Sequence, residues 1–189
     1  MEIIIFTGPP YSGKGTQCSL LEESLGFSHI STGDRIREEK ERRSPLGKIM
    51  ATYEEKGALV PDQIMKDMIQ KIIEENLDEK GIILDGYPRT ISQVDTLFSL
   101  IDGKNVKVKS VINIEVPREE LLARSITRAK SSDRKDDQDT TTHEKRIEIF
   151  EKETRPAIVY MKSKFEVSDI NGLGSIEEIT KRISALIKI

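Results

Sequence analysis

The chain has 189 residues, of which 36% are hydrophobic and 33% are charged, and its formal net charge at pH 7 is −3. This length is enough for one domain with a packed core, and the composition is typical of an ordinary globular protein. The mild acidity argues against nucleic acid as the main partner, and no apolar run in the sequence reaches the length of a membrane span.

Cysteine and histidine are scarce in the chain, which limits the kinds of site that it can build. The single cysteine, Cys18, excludes an internal disulfide framework and fits a reducing compartment such as the cytoplasm. With only His29 and His143 beside it, no Cys/His zinc cluster is expected. The chain opens directly on an apolar strand, so no signal peptide is expected either.

Residues 2–17 predict a buried strand, a glycine-rich turn and the start of a helix, in that order. Within the turn, Gly8, Gly13 and Lys14 have the spacing of a phosphate-binding P-loop. The glycines allow successive backbone N–H groups to turn toward an anion, and the following helix adds its positive dipole end. Lys14 supplies a mobile cation for the terminal phosphates, and Thr16 offers a hydroxyl to a magnesium ion.

After this loop, predicted helices and strands alternate along the chain. The predicted strands beyond the first occupy residues 27–32, 81–85, 106–116 and 165–170. Helices are predicted at residues 14–25, 35–43, 45–56, 61–75, 91–100 and 143–162, and two more begin at Pro117 and at a capping box of Ser175 and Glu178. Residues 129–142 lose this periodicity and predict a polar, exposed loop.

The alternation predicts a mostly parallel α/β sheet of five strands with helices on both faces. In such sheets the ligand binds at the carboxyl ends of the strands. The P-loop, Asp85 and the loop after Ile170 all follow predicted strands, so we expect them at one edge of the sheet. That edge is the predicted ligand site.

Gly15 separates Lys14 from Thr16, whereas the general P-loop signature has Ser or Thr directly after the lysine. This spacing resembles that of the nucleoside monophosphate kinases. Further stretches follow in the order found in adenylate kinases of the short-lid form, and the resemblance covers nearly the whole chain. They are residues 29–37, residues 59–62, residues 85–90 with Gln93, and a last set made of Arg124, Arg128, residues 134–137, Lys145 and Arg146.

The resemblance implies a P-loop NTPase-type fold, with a parallel five-stranded sheet flanked by helices in a single kinase domain over residues 1–189. It also implies an AMP-binding insert at about residues 31–60 and a short lid at about residues 125–140, which closes over ATP as adenylate kinase lids do. The implied activity is reversible phosphoryl transfer from MgATP to AMP, giving two ADP. The implied enzyme is a cytoplasmic monomer with Mg²⁺ as cofactor, no zinc, and no nucleic-acid or membrane partner.

The resemblance also implies a role for each group of matched residues. Those implied to bind ATP are Tyr11, Ser12, Gly13, Lys14, Gly15, Thr16, Arg124, Arg128 and Gly174. Those implied to bind AMP are Thr32, Arg37, Ala58, Leu59, Val60, Gly86, Arg89, Gln93, Arg134 and Arg146. The implied catalytic set is Lys14, Arg89, Arg124, Arg128, Arg134 and Arg146, and Mg²⁺ would be held through water near Thr16, Asp34 and Asp85.

These residue types suit phosphoryl transfer between two nucleotides. The acceptor is a phosphate oxygen whose second pKa lies near ~6, so it is mostly ionised at pH 7 and needs no general base. The difficulty is to hold two polyanions together and to balance charge in the transition state, which calls for cations from several directions. Thr32 and Gln93 favour AMP, because UMP/CMP kinases tend to have alanine at the first position and a Gln amide can pair with the edge of adenine.

Two other functions are compatible with the P-loop: another nucleoside monophosphate kinase, or a nucleotide switch or assembly subunit that turns over slowly. The complete set of acceptor-side residues argues against a switch, which has no use for a second phosphate site. Relative to the family, one extra residue between Asp137 and Arg146 leaves open whether Lys145 or Arg146 faces the phosphates. Asp133 stands where the family often has glycine.

Tyr11 occupies a P-loop position that the family usually gives to glycine. A positive φ there would cost a tyrosine on the order of 1–2 kcal/mol. We therefore expect a negative φ at Tyr11, with a bulky side chain at the mouth of the site that is a bystander in the reaction.

Overall fold

The structure, a computed structural model, describes residues 1–131 and 142–187. Its strands are β1 (Glu2–Thr7), β2 (Ser28–Ser31), β3 (Gly81–Asp85), β4 (Lys107–Glu115) and β5 (Val167–Asn171). They form one sheet in the order β2-β3-β1-β4-β5, and every neighbouring pair is parallel. The predicted α/β class and its five strands are confirmed.

Helices connect the strands and flank the sheet. They are α1 (Lys14–Leu25), α2 (Thr32–Glu41), α3 (Pro45–Glu54), α4 (Asp62–Glu75), α5 (Ile91–Ile101), α6 (Arg118–Ser131), α7 (His143–Ile149), α8 (Arg155–Met161) and α9 (Ile176–Ile187). A π-helical segment, Phe150–Thr154, joins α7 to α8, so the long helix predicted at residues 143–162 is present with a local change of winding.

Side chains at the helix ends explain where several helices begin. The Ser31 hydroxyl accepts a hydrogen bond from the Asp34 N–H at 3.2 Å, so α2 starts earlier than the predicted residue 35. The predicted capping box is confirmed, because the N–H groups of Ser175 and Glu178 donate to each other's side chains at 2.8 and 3.2 Å. The loop predicted from residue 129 starts later, because α6 continues to Ser131, and the rest of that loop lies outside the described residues.

The alternation of side chains along β1 divides the core into two layers. Ile3 and Ile5 belong to the layer that packs against α4, α5 and α8, whereas Ile4 and Phe6 belong to the layer that packs against α1 and α9. All four side chains are fully buried. Burial on both faces explains why residues 3–6 of β1 are all apolar and do not alternate with polar residues.

The carboxyl ends of the strands meet at one edge of the sheet. The register pairs Asp85, the last residue of β3, with Phe6 on one side and with Ser31 on the other. On the far side of β1, β5 runs parallel to β4 and ends at Asn171. The P-loop, Asp85 and the loop after β5 therefore lie along the same edge, as predicted. Within the described part of the chain, no helix has the length and apolar character needed to cross a bilayer.

Candidate active site

A cleft of about 670 Å³ opens at this edge of the sheet. Its volume lies within the usual range for small-molecule sites. The P-loop, the turn after β3, the start of α2 and one face of α7 all contribute to its walls. Most of the predicted site residues line it, namely Tyr11, Ser12, Gly13, Lys14, Gly15, Thr16, Thr32, Asp34, Arg37, Ala58, Leu59, Val60, Asp85, Gly86, Arg89, Gln93, Arg128 and Arg146.

Three predicted residues are not brought into this lining. Arg124 lies behind the P-loop, where its guanidinium donates to the Ser12 carbonyl at 3.4 Å and to the Gly172 carbonyl at 2.9 Å. It thereby ties the P-loop to the segment after β5. Gly174 lies next to the capping box of α9. Arg134 lies outside the described residues, as do Asp133, Asp136 and Asp137.

Lys14 folds back over the P-loop that precedes it. Its ammonium donates to the Gly8 and Pro9 carbonyls, both at 2.8 Å. Burial lowers the pKa of Lys14 to about 8; Asp85 opposes this change and Arg89 adds to it. Gly8 has φ of 135°, and a Cβ there would lie 2.5 Å from the Ile114 carbonyl, so only glycine lets β4 approach the loop this closely.

The negative φ expected at Tyr11 is wrong, because its φ is 67°. The side chain is also not a bulky group at the mouth of the site, since only 7% of the residue is exposed. Its ring centroid lies 5.1 Å from that of His143, and the Arg146 guanidinium carbon lies 5.4 Å from the ring centroid. Arg146 also donates to the Tyr11 hydroxyl at 3.4 Å. The loop keeps the backbone conformation of a glycine, and the tyrosine ring packs against α7.

The rotation of α7 places Lys145 and Arg146 in different surroundings. Arg146 is partly buried and lines the cleft, whereas Lys145 is exposed. The aliphatic part of the Arg146 side chain also lies close to Gly57, since a Cβ on Gly57 would be 3.1 Å from the Arg146 Cγ. Arg146 is therefore the residue of the pair that can reach a bound phosphate.

The turn after β3 is held by hydrogen bonds to backbone carbonyls. The Thr32 hydroxyl donates to the Asp85 carbonyl at 3.0 Å, and the Arg89 Nε donates to the Gly86 carbonyl at 2.6 Å. Gly86 has φ of 83°, and a Cβ there would lie 2.6 Å from Arg89 Nη2 and 2.8 Å from Thr32 Oγ1. The turn therefore needs glycine at this position in order to bring Thr32 and Arg89 together.

Gln93 is held by a polar network that the sequence analysis did not anticipate. Its side-chain N–H donates to Asp62 at 2.7 Å, and its side-chain oxygen accepts from the Arg89 N–H at 2.7 Å. Asp62 also accepts from the Thr90 hydroxyl at 3.0 Å. An amide carries a second N–H and a second lone pair, so Gln93 keeps the capacity to pair with a ligand while the network fixes its orientation. Asp62 stood in a matched motif, but sequence reasoning assigned it no role.

Opposite charges are concentrated around the cleft. Burial by itself would raise the pKa of the Asp85 carboxyl, but His29, Lys14 and Arg89 outweigh it and hold the pKa below the usual range. Burial lowers the pKa of Arg89, with Asp85 acting in the opposite direction. Arg37 pairs with Asp34 at 2.5 Å. The cleft therefore offers a set of cations to an anionic ligand, with carboxylates placed between them.

His29 is a further residue of the cleft wall that sequence reasoning did not assign to the site. It lies on β2, and its Nε2 is 3.6 Å from the Asp85 carboxylate. Cys18 is fully buried on α1, and its sulfur, one His29 nitrogen and one Asp85 oxygen all lie within 4.8 Å of one another. The sequence-based expectation covered only clusters of cysteine and histidine. It therefore missed this group, whose third member is a carboxylate.

Known proteins are similar to this sequence over nearly its whole length. A family model described as adenylate kinase matches residues 6–166. The adenylate kinase of Porphyromonas gingivalis is 40% identical over 187 residues, which cover 99% of this chain and 95% of the relative. That of Bacteroides thetaiotaomicron is 39% identical over 179 residues, covering 95% and 94%. That of Thermus thermophilus is 38% identical over 188 residues, covering 100% and 98%.

Proposed function

The chain belongs to the adenylate kinase family, which transfers a phosphoryl group from ATP to AMP to give two ADP, and from this premise we propose how its residues divide that work. The observation that carries the proposal is the convergence of cations from separate elements on one cleft. Lys14 comes from α1, Arg37 from α2, Arg89 from the turn after β3 and Arg146 from α7. Such an arrangement can hold two polyanionic nucleotides and oppose the charge that develops between them.

On the donor side, the P-loop binds the phosphates of ATP. The backbone N–H groups of residues 11–16 and the start of α1 form the anion site, since Gly13 has a positive φ and α1 begins at Lys14. Lys14 leaves the Gly8 and Pro9 carbonyls and reaches the terminal phosphates. Arg124 holds the loop from behind through Ser12, and Gly174 completes the donor site from the loop after β5.

On the acceptor side, Arg37 and Arg89 bind the phosphate of AMP, because a guanidinium can make two parallel hydrogen bonds to it. Thr32, Gly86 and Gln93 contact the base, and the backbone around Ala58, Leu59 and Val60 closes the other wall. Arg128, Arg134 and Arg146 surround the transferring group. Asp62 acts through Gln93, which it holds in place at 2.7 Å.

The oxygen-bearing residues of the cleft fit a magnesium ion. Thr16, Asp34 and Asp85 all line it, and hydroxyl and carboxylate oxygens are the ligand types that Mg²⁺ accepts, directly or through water. When bound, Mg²⁺ would neutralise part of the negative charge on the phosphates. The lid provides no cysteine or histidine, so we propose that it is zinc-free.

The proposed enzyme is a monomer of one domain that works in the cytoplasm. Residues 31–60 form its AMP-binding insert and residues 125–140 its lid, of which residues 132–140 lie outside the described part of the chain. A free thiol at Cys18 agrees with a reducing compartment. Nucleic acid and membranes are not proposed as partners.

A panel of acceptors tests the proposed base specificity. The purified chain is assayed with MgATP and AMP, CMP, UMP or GMP at equal concentration, and ADP formation is measured. We expect a wide preference for AMP, because a site that hydrogen-bonds the edge of adenine discriminates against bases that lack the matching groups. The variant Gln93→Leu should lose that preference. Comparable rates with CMP would favour a broader nucleoside monophosphate kinase.

A further inference from the structure

Three side chains with metal-binding atoms converge beside the P-loop, and each comes from a different element. Cys18 lies on α1, His29 on β2 and Asp85 at the end of β3. Their ligand atoms all lie within 4.8 Å of one another. The expectation of no zinc rested on the cysteine and histidine content and on the lid, and this cluster is separate from residues 125–140.

The cluster is buried, and one of its atoms has no hydrogen-bond partner. Cys18 is fully buried, and the side chains of His29 and Asp85 are each 13% exposed. Within the described ranges, the buried Nε2 of His29 makes no hydrogen bond. It faces the Asp85 carboxylate at 3.6 Å, which is too long for a hydrogen bond. Buried polar atoms are almost always satisfied, so an unpaired nitrogen between a thiol and a carboxylate indicates a site for a ligand.

The separation of the three atoms fits one small metal ion. A tetrahedral Zn²⁺ has bonds of ~2.0–2.3 Å to nitrogen, oxygen and sulfur, so its ligand atoms lie roughly 3.3–3.7 Å apart. The distance of 3.6 Å between His29 Nε2 and the Asp85 carboxylate already falls in this range. The sulfur needs to move by at most about 1 Å to complete the set.

We propose that Cys18, His29 and Asp85 form a binding site for Zn²⁺, with a solvent molecule in the fourth position. Thiolate and imidazole are ligands that Zn²⁺ and Co²⁺ accept readily, whereas Mg²⁺ favours oxygen ligands. His29 and Asp85 line the cleft, so the ion enters from that side and the open position faces solvent. Binding converts the Cys18 thiol to a metal-bound thiolate, and the proton passes to solvent.

Occupation of this site should inhibit phosphoryl transfer. Asp85 is shared between the zinc site and the proposed magnesium site, so a bound Zn²⁺ competes for its carboxylate oxygens and repels a second divalent cation. This consequence rests on the proposed role of Asp85, whereas zinc binding itself does not.

The binding test uses the full chain after treatment with EDTA and gel filtration. Zn²⁺ is titrated in competition with a chromogenic chelator, and Co²⁺ serves as a spectroscopic probe because thiolate ligation gives it a charge-transfer absorption. We expect one equivalent of Zn²⁺ per chain and a Co²⁺ charge-transfer band. In the absence of nucleotide, millimolar Mg²⁺ should change neither, because Mg²⁺ favours oxygen ligands. Absence of the band in the wild-type chain would overturn the proposal.

Variants identify the ligands. Cys18→Ala should abolish the Co²⁺ band and weaken Zn²⁺ binding at least ~100-fold, since loss of even an outer partner of a metal ligand costs ~10–100-fold. His29→Gln should weaken Zn²⁺ binding similarly. Because His29 is partly exposed, this variant tests the site without a change in the buried core at Cys18. The matched control His143→Gln removes the other histidine and should leave Zn²⁺ binding unchanged. Equal Zn²⁺ affinity in Cys18→Ala and wild type would overturn the site.

The inhibition is tested by assaying wild type and Cys18→Ala with MgATP and AMP, with free Zn²⁺ set by a metal buffer. We expect Cys18→Ala to keep the wild-type rate without zinc and to require at least ~100-fold more free Zn²⁺ for half inhibition. Identical inhibition curves would contradict the link between this site and turnover. If the kinase assignment itself were wrong, the chain would show no activity before zinc is added, while the binding result would stand.

Discussion

Lys14 and Tyr11 show how much of this active site depends on single side chains. Lys14 is held against the carbonyls of its own loop at 2.8 Å, so its ammonium lies beside the P-loop and must leave these carbonyls when it reaches the phosphates. Tyr11 occupies a left-handed backbone position that normally requires glycine, and its ring packs against His143 and Arg146. Lys14 carries a positive charge at the proposed site, and Tyr11 contacts Arg146, which carries another.

The variant Lys14→Met should lower turnover at least ~100-fold, because it removes a preorganised cation from the transition state while keeping the length of the side chain. Steady-state rates with MgATP and AMP provide the measurement. Lys71→Met serves as the matched control, since Lys71 is exposed on α4 and its loss should leave the rate unchanged. Full activity of purified Lys14→Met would refute the P-loop assignment.

The variant Tyr11→Gly should lower turnover roughly tenfold, since a cation–π contact of ~1–2 kcal/mol no longer positions Arg146. Its unfolding free energy should fall, because relief of a strain of ~1–2 kcal/mol does not offset the loss of a buried aromatic ring, which costs ~3–5 kcal/mol. Tyr11→Phe keeps the ring and should retain most of the wild-type rate. Kinetics and urea unfolding are measured on both variants. An equal loss of rate in both would assign the effect to the hydroxyl and not to the ring.

At the scale of the elements, hydrogen bonds at the helix ends fix where helices begin, and a change of helical winding occurs beside the cleft. The N-terminus of α9 is set by the reciprocal bonds between Ser175 and Glu178. The π-helical segment Phe150–Thr154 lies where Ile149, Phe150 and Thr154 line the cleft. Segments of this type often occur at functional sites, because one wider turn redirects the side chains that follow.

The variant Ser175→Ala should destabilise the fold by about 1 kcal/mol without changing turnover, because it removes the hydroxyl that accepts the Glu178 N–H. Urea unfolding monitored by circular dichroism measures the difference. Ser99→Ala provides the comparison, since Ser99 is exposed within α5 and alanine favours the helix interior. A cost at Ser99 equal to that at Ser175 would show that the capping box has no specific effect.

For the whole molecule, the sheet acts as a frame that carries the cleft at one edge. β1 and β3 are buried on both faces, whereas residues 31–60 are largely helices α2 and α3 with intermediate or exposed side chains. Segments with fewer buried side chains open locally at a lower free-energy cost than the buried strands. The proposed insert should therefore respond to ligands more than the sheet does.

Hydrogen exchange measured with and without AMP tests that expectation. Amide exchange in residues 31–60 should slow when AMP binds, because the acceptor residues Thr32 and Arg37 lie in this segment. Amides of β1 and β3 should exchange slowly in both states. Uniform protection across the chain, or protection confined to α9, would contradict the assignment of residues 31–60 as the AMP-binding insert.

Much of this protein was determined by residues close together in the sequence. The P-loop depends on the spacing of Gly8, Gly13 and Lys14, and the capping box depends on residues three positions apart. The apolar run of β1 predicted a strand buried on both faces, and the alternation of strands and helices predicted the parallel sheet. Local preference and short-range periodicity carry this information, because they do not depend on which distant segments come into contact.

Only the tertiary structure decided the rest, because these features depend on contacts between distant segments. The positive φ of Tyr11 is stabilised by packing against α7, far along the chain. Whether Lys145 or Arg146 faces the cleft depends on how α7 is rotated against the P-loop. Cys18, His29 and Asp85 meet because α1 begins at the edge of the sheet where β2 and β3 end. The pattern of residues along the sequence does not specify these contacts, because they form only when the whole chain packs together.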